Sequence, residues 1–282
     1  MLEYATGVIN VLEKNIFDKL DLQRMLTASN RQEAFKVLFD TDLAQIATKE
    51  DNIENILQKD MENLKQILFQ MLKDTNINLF YFLFLRLDAL NLKIALKQEK
   101  EPEINNEYVE KLIEQSLSEK GTIDQKVDKA YLKTKLLLGQ EIKGLALDII
   151  RYEIDIANLK NLIKEKQEFI KRGNLSYNDM LKLLGRKKGM ISRGLERFLE
   201  AFDLSLLIED FEKTGSEAKL EKGLERFLSE KVLQREREGG GMEKVMGFFT
   251  RKINAHSNIR LIFFQKDSGI PIKEIKNNLL PI

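Results

Sequence analysis

Arg151-Tyr-Glu-Ile-Asp155-Ile-Ala-Asn158-Leu-Lys160 lies inside a run, from 143 to 168, whose apolar residues recur every three or four positions, the period of an amphipathic helix. Part of it occurs three times. Asp88-Ala-Leu-Asn91-Leu-Lys93 matches Asp155-Ile-Ala-Asn158-Leu-Lys160, and Ala255-His-Ser-Asn258-Ile-Arg260 matches both except at its first position. Arg151 and Arg251 each stand seven residues before the Asn, where the first stretch has Phe84. Behind each copy the pattern runs into a turn and a short second helix, near 104–113, 175–184 and 270–280. Leu20 to Leu26 reads as a similar ending behind the N-terminal helix. The repeated unit expected from these matches is a long helix, a turn and a cap helix.

Outward from the repeat, the same period marks 4–16, 30–39, 52–73, 79–98, 106–118, 124–138, 190–211, 217–235, 242–265 and 271–279. No run alternates as a strand would. Breaks fall at Glu101-Pro102, Gly121, Lys171 to Asn174, Gly185, Thr214-Gly215 and the triple glycine 239–241, where a fixed or unusually free backbone makes a helix costly to continue. Only three prolines and no tryptophan, against abundant Leu, Ile, Lys and Glu, agree with an all-α chain. At 282 residues it is long enough for a real core divided among a few lobes, and the segments expected are 1–104, 105–185 and 186–282.

Each Asn of the repeat sits among residues built for burial, such as Leu90, Ile94, Ile154, Leu162, Ile259 and Ile262. A half-buried amide without a partner costs about 1–3 kcal/mol, so each is expected to bond a neighbouring helix or a backbone end. The residues assigned to this packing motif are Asp88, Asn91 and Lys93; Arg151, Asp155, Asn158 and Lys160; and Arg251, Asn258 and Arg260.

Catalytic chemistry finds little footing in the composition. There is no cysteine, which removes disulfides, thiolate nucleophiles and every Cys-bearing metal site. His256 is the one histidine, so no pair of imidazoles exists for zinc or a di-iron cage, and no GxSxG accompanies it. Packing or capping is the expected role of His256. Gly189/Gly194 and Gly139/Gly144 have the outer spacing of a P-loop, but leucine follows each where Lys and Ser or Thr are required. Carboxylates such as Glu141, Asp148, Glu153 and Asp155 read as solvated faces and i,i+4 pairs. No catalytic residue, cofactor site or metal site is assigned, and an enzyme working with carboxylates alone ranks last.

The formal charge is +1, so any electrostatic case must be local. One stretch is biased: between 171 and 197, Lys171, Arg172, Lys182, Arg186, Lys187, Lys188, Arg193 and Arg197 face only Asp179 and Glu196, six positive charges net. Arg186, Lys187, Lys188, Arg193 and Arg197 are the candidate partner contacts. A helical nucleic-acid module using 171–197 is the rival reading, which the nearly neutral whole disfavours. The start MLEYATG has neither a basic region nor a long apolar run, and Leu79 to Leu85 (LFYFLFL) is far short of the ~20 residues of a spanning helix. A soluble chain without a signal peptide is expected.

Three patches carry a family resemblance: Tyr4 to Ile16 (YATGVINVLEKNI); Arg151 to Lys160 followed by Gly173-Asn-Leu-Ser176; and Asn258-Ile-Arg-Leu-Ile262 with Gly269-Ile-Pro-Ile-Lys-Glu-Ile275. In these the chain resembles the central-stalk C subunit of archaeal and bacterial V-type (A-type) ATPases, related to the d subunit of the eukaryotic V-ATPase. The resemblance implies a funnel of three similar helical lobes with pseudo-threefold symmetry, seated on the membrane rotor ring and receiving the tip of the central shaft. It implies an adaptor rather than a catalyst, cytoplasmic and peripheral at the inner face of the membrane, with shaft subunits and rotor ring as partners. No nucleic acid and no direct membrane insertion belong to that picture.

Overall fold

The computed structural model describes residues 2–48, 52–164, 169–184 and 204–282. Among them every regular element is helical: α1 (Glu3–Leu12), α2 (Lys19–Thr27), α3 (Arg31–Val37), α4 (Ile53–Leu72), α5 (Ile77–Lys97), α6 (Glu107–Ser118), α7 (Ile123–Ile142), α8 (Gly144–Ile163), α9 (Tyr177–Leu183), α10 (Leu204–Thr214), α11 (Glu217–Glu238), α12 (Met242–Ser268) and α13 (Ile272–Lys276), with 3-10 turns at Glu13–Asn15, Leu38–Asp40 and Asp42–Gln45.

Local chemistry starts these helices. The first amides of a helix have no partner within it, and a side-chain oxygen placed just before the first turn takes them, worth about 1 kcal/mol. Asn30, Asn52, Asn76 and Asn106 do this for α3, α4, α5 and α6. Asp18 with Asp21, Thr122 with Gln125 and Ser176 with Asp179 form reciprocal capping boxes at α2, α7 and α9. Between α7 and α8 the chain turns at Lys143, which takes a φ of 67°.

Packing groups the chain into two units: residues 1–75 with 217–282, and residues 76–216. The sequence segments 1–104, 105–185 and 186–282 partition the chain differently, and the start of the third falls outside the described residues. In the first unit α12 is the central rod, touched by α1, α2, α3, α4, α11 and α13. Its core joins Phe17, Met25, Leu38, Leu43, Ile56 and Leu57 to Ala255, Ile259, Ile262, Phe263 and Ile275. In the second unit α7 is central, with α5, α6 and α8 packed on it. Residues 1–75 and 217–282 therefore serve one unit, which holds three of the features described next. No described helix is long and apolar enough to cross a membrane.

Candidate functional site

The repeat residues on α8 and α12 share one geometry. Asn158 is buried; its Nδ2 donates to the Ile170 carbonyl at 2.7 Å, and its Oδ1 accepts the Ile170 N–H at 2.7 Å. Asn258 is equally buried and does the same to Leu280, donating to its carbonyl at 2.9 Å and accepting its N–H at 2.8 Å. In each case a carboxamide on the long helix clamps both backbone groups of one aliphatic residue in the chain that follows. That satisfies four polar atoms at once, which burial demands.

Each clamp has a different second anchor. On α8, one turn before Asn158, the Asp155 carboxylate accepts the Asn174 and Leu175 amides at 2.9 and 3.0 Å and the Asn174 side-chain amide at 3.0 Å. Gly173 makes this possible, because a Cβ there would lie 2.1 Å from Asp155 Oδ1. Burial pushes the Asp155 carboxyl up to about 6, against the downward pull of those donors and of Arg151. On α12 the corresponding residue is Ala255, and Asn254 takes over by donating to the Pro281 carbonyl at 2.7 Å.

The first copy differs. Asn91 on α5 is exposed and clamps nothing among the described residues, Asp88 is half-buried, and Lys93 pairs with Asp128 at 2.6 Å. Arg151 and Lys160 are half-buried on α8. Arg251 bridges Glu13 and Glu236, the latter at 2.5 Å, and Arg260 reaches Glu54 at 2.9 Å. Arg186, Lys187, Lys188, Arg193 and Arg197 lie outside the described residues. Of the rest of the basic stretch, Lys171 and Arg172 are exposed and Lys182 is half-buried.

Two ion networks went unread in the sequence. In the first, Lys252 on α12 donates to Asp42 at 2.7 Å and pairs with Asp60 of α4 at 2.5 Å, while His256 Nε2 meets the same Asp60 oxygen at 2.6 Å. Lys252, Asp60 and His256 are all buried. Burial opposes charge on both members of the central pair, yet His256 and Lys252 hold Asp60 below the usual carboxylate range, and Asp60 and Asp42 hold Lys252 above its own. His256 Nδ1 is enclosed without a partner. In the second network, Lys244 and Arg251 of α12 both bridge Glu13, behind α1, to Glu236 of α11. Gly247 leaves the room: a Cβ there would lie 2.2 Å from the Glu236 carboxyl carbon. The readable signal was a Lys and a His one turn apart on a helix face otherwise apolar.

The second unit holds a third buried group. Lys135 of α7 donates to Glu153 and to the Tyr131 hydroxyl, each at 2.7 Å, with the Phe82 ring 4.7 Å from its ammonium. Burial lowers the Lys135 ammonium against the pull of Glu153 and drives the Tyr131 hydroxyl well above its ordinary range. Each of these clusters joins packed elements through at least one buried charged side chain, so its chemistry is cohesion. Among the described residues no three His, Cys, Asp or Glu side chains converge to hold a metal ion.

No family model matches the sequence. The C subunit of the A-type ATP synthase of Methanocaldococcus jannaschii is 23% identical over 348 aligned positions, spanning 99% of this chain and 86% of that relative. A helical chain whose connecting segments are clamped to its long helices and whose interior holds ion pairs is thus similar, along nearly its whole length, to one component of an ATP synthase.

Proposed function

We propose that this chain is a non-catalytic stalk subunit of a rotary ATPase of the A or V type. It works as the adaptor between the rotating central shaft and the membrane rotor ring, and passes the torque that couples ATP hydrolysis or synthesis to ion transport, hydrogen ions included. The observation that carries this proposal is the likeness to the archaeal C subunit over 99% of the chain. The helical architecture supports it, because a part that must turn with its neighbours without slipping needs stiff rods whose ends are tied down. Asn158 and Asn258 fasten the chain that follows back onto α8 and α12, and the Lys252 and Glu236 networks bind α4, α11, the Asp42 turn and the turn behind α1 to α12.

In this proposal the lobes form a three-part funnel, peripheral at the inner, cytoplasmic face of the membrane. Its socket and ring-facing rim are loops between helices, among them the stretch with Arg186, Lys187, Lys188, Arg193 and Arg197. Reversing Arg186, Lys187 and Lys188 to glutamate should weaken capture of the shaft or of the ring in a pull-down from assembled enzyme. Retention of both at the level of the parent chain would refute the role given to this stretch.

A further inference from the structure

Helices α8 and α12 bury the face that carries their repeat Asn; α5 leaves it open. Beside Asn158 and Asn258 stand Ala157 and Asn161, and Ser257 and Leu261, all half-buried. At the same register beside Asn91 stand Leu90 and Ile94, 52% and 45% exposed. The uncovered copy thus carries bulkier aliphatic flanks than the Ala157 and Ser257 of the covered ones, which is the composition of a surface made to be buried. The chain that follows α5 does not close over it, since it runs on into α6 with Ile104 mostly exposed, and α6 is packed against α5 and α7.

We propose that this face of α5 binds a non-helical, aliphatic segment of a partner polypeptide. The Asn91 carboxamide takes the N–H and C=O of one of its residues, as Asn158 takes those of Ile170, and Leu90 and Ile94 flank the segment. The chemistry of the occupant is read from the two segments seated on the equivalent faces. Both lie outside helices at the clamped residue, and both present an aliphatic residue with both backbone groups free for the clamp. A partner helix does not fit, because its interior N–H and C=O groups are spent on each other. The α5 face keeps this role whether or not the chain is a stalk component.

The test uses the intact chain and a labelled peptide with the sequence of residues 169–176 (FIKRGNLS), with a peptide of 107–118, helical in this protein, as the contrast. Fluorescence anisotropy should show saturable binding of the first only. Binding should weaken roughly tenfold in Asn91→Ala, from the loss of two hydrogen bonds, and in Leu90→Asp, from a charge placed on the apolar flank. Both side chains are exposed, so the melting temperature should stay unchanged and report that the variants fold. The proposal is overturned by absence of binding up to millimolar peptide, by binding indifferent to both variants, or by equal binding of the 107–118 peptide. Self-association of the free chain in sedimentation that Asn91→Ala abolishes would assign the face to a second copy and overturn it too.

Discussion

Truncating Asn258 to alanine removes both partners of the Leu280 backbone, at a residue that is 2% exposed. If the tail lifts and water takes over, the loss is the net worth of two hydrogen bonds, about 1 kcal/mol each. If the tail stays buried, an unpaired N–H and C=O cost about 1–3 kcal/mol apiece. The cheaper route sets the outcome, so the expected cost is about 2 kcal/mol, a substantial part of the roughly 5–15 kcal/mol that holds a domain together. Asn158→Ala should cost somewhat less, because Ile170 is only half-buried. Asn91→Ala should stay within about 0.5 kcal/mol, the range of substitutions on an open surface. Urea denaturation of the three variants measures the ranking, and amide hydrogen exchange locates it: Leu280 should lose protection in Asn258→Ala, and Ile170 in Asn158→Ala. Equal costs at all three positions would refute the account of the clamps, as would an Asn258→Ala cost below about 0.5 kcal/mol.

Lys252→Met strips the cation from between Asp42 and Asp60 and should destabilise the chain by about 3–5 kcal/mol, the penalty of breaking a buried pair from one side. Adding Asp60→Asn should recover much of that in the same denaturation assay, whereas a double variant no better than the single would contradict the network. Asp155 gives a pH signature: its folded value is about 6 against an ordinary 3.8, so the folded chain holds the proton more tightly between the two. The stability this contributes is complete below about pH 4 and is lost as pH rises through 6, a total of about 3 kcal/mol for a group almost wholly buried. Asp155→Asn should flatten that part of the stability profile between pH 4 and 7; an unchanged slope would show that Asp155 is not its source.

The helices were legible because burial imposes a period of three and four. Ile53, Ile56, Leu57, Leu64, Leu68, Met71 and Leu72 mark α4 in the sequence and are the apolar residues it buries. The tight turns at Leu38–Asp40 and Asp42–Gln45 carry no such period, and with them went Asp42, the partner of Lys252. The repeat placed Asn158 and Asn258 on matching faces, but their partners lie 12 and 22 residues downstream in segments of unlike sequence. A carboxamide that bonds backbone leaves no side-chain signature in its partner, so sequence alone could not name Ile170 or Leu280. The open face around Asn91 escaped for a related reason: whether a helix is covered depends on where the following chain goes, and Asp88 to Lys93 reads like Asp155 to Lys160. The Asp60–His256 contact joins residues 196 apart and was out of reach of any local pattern.

The most direct measurement asks whether the chain bridges the two rotating parts. Isolated rotor ring in detergent, purified shaft subunits and this chain would be mixed in pairs and all together, then separated by sedimentation. The account predicts that shaft and ring travel together only when the chain is present, with the chain in the same fraction. Co-sedimentation of shaft and ring without it, or a chain that joins neither, would contradict the adaptor role.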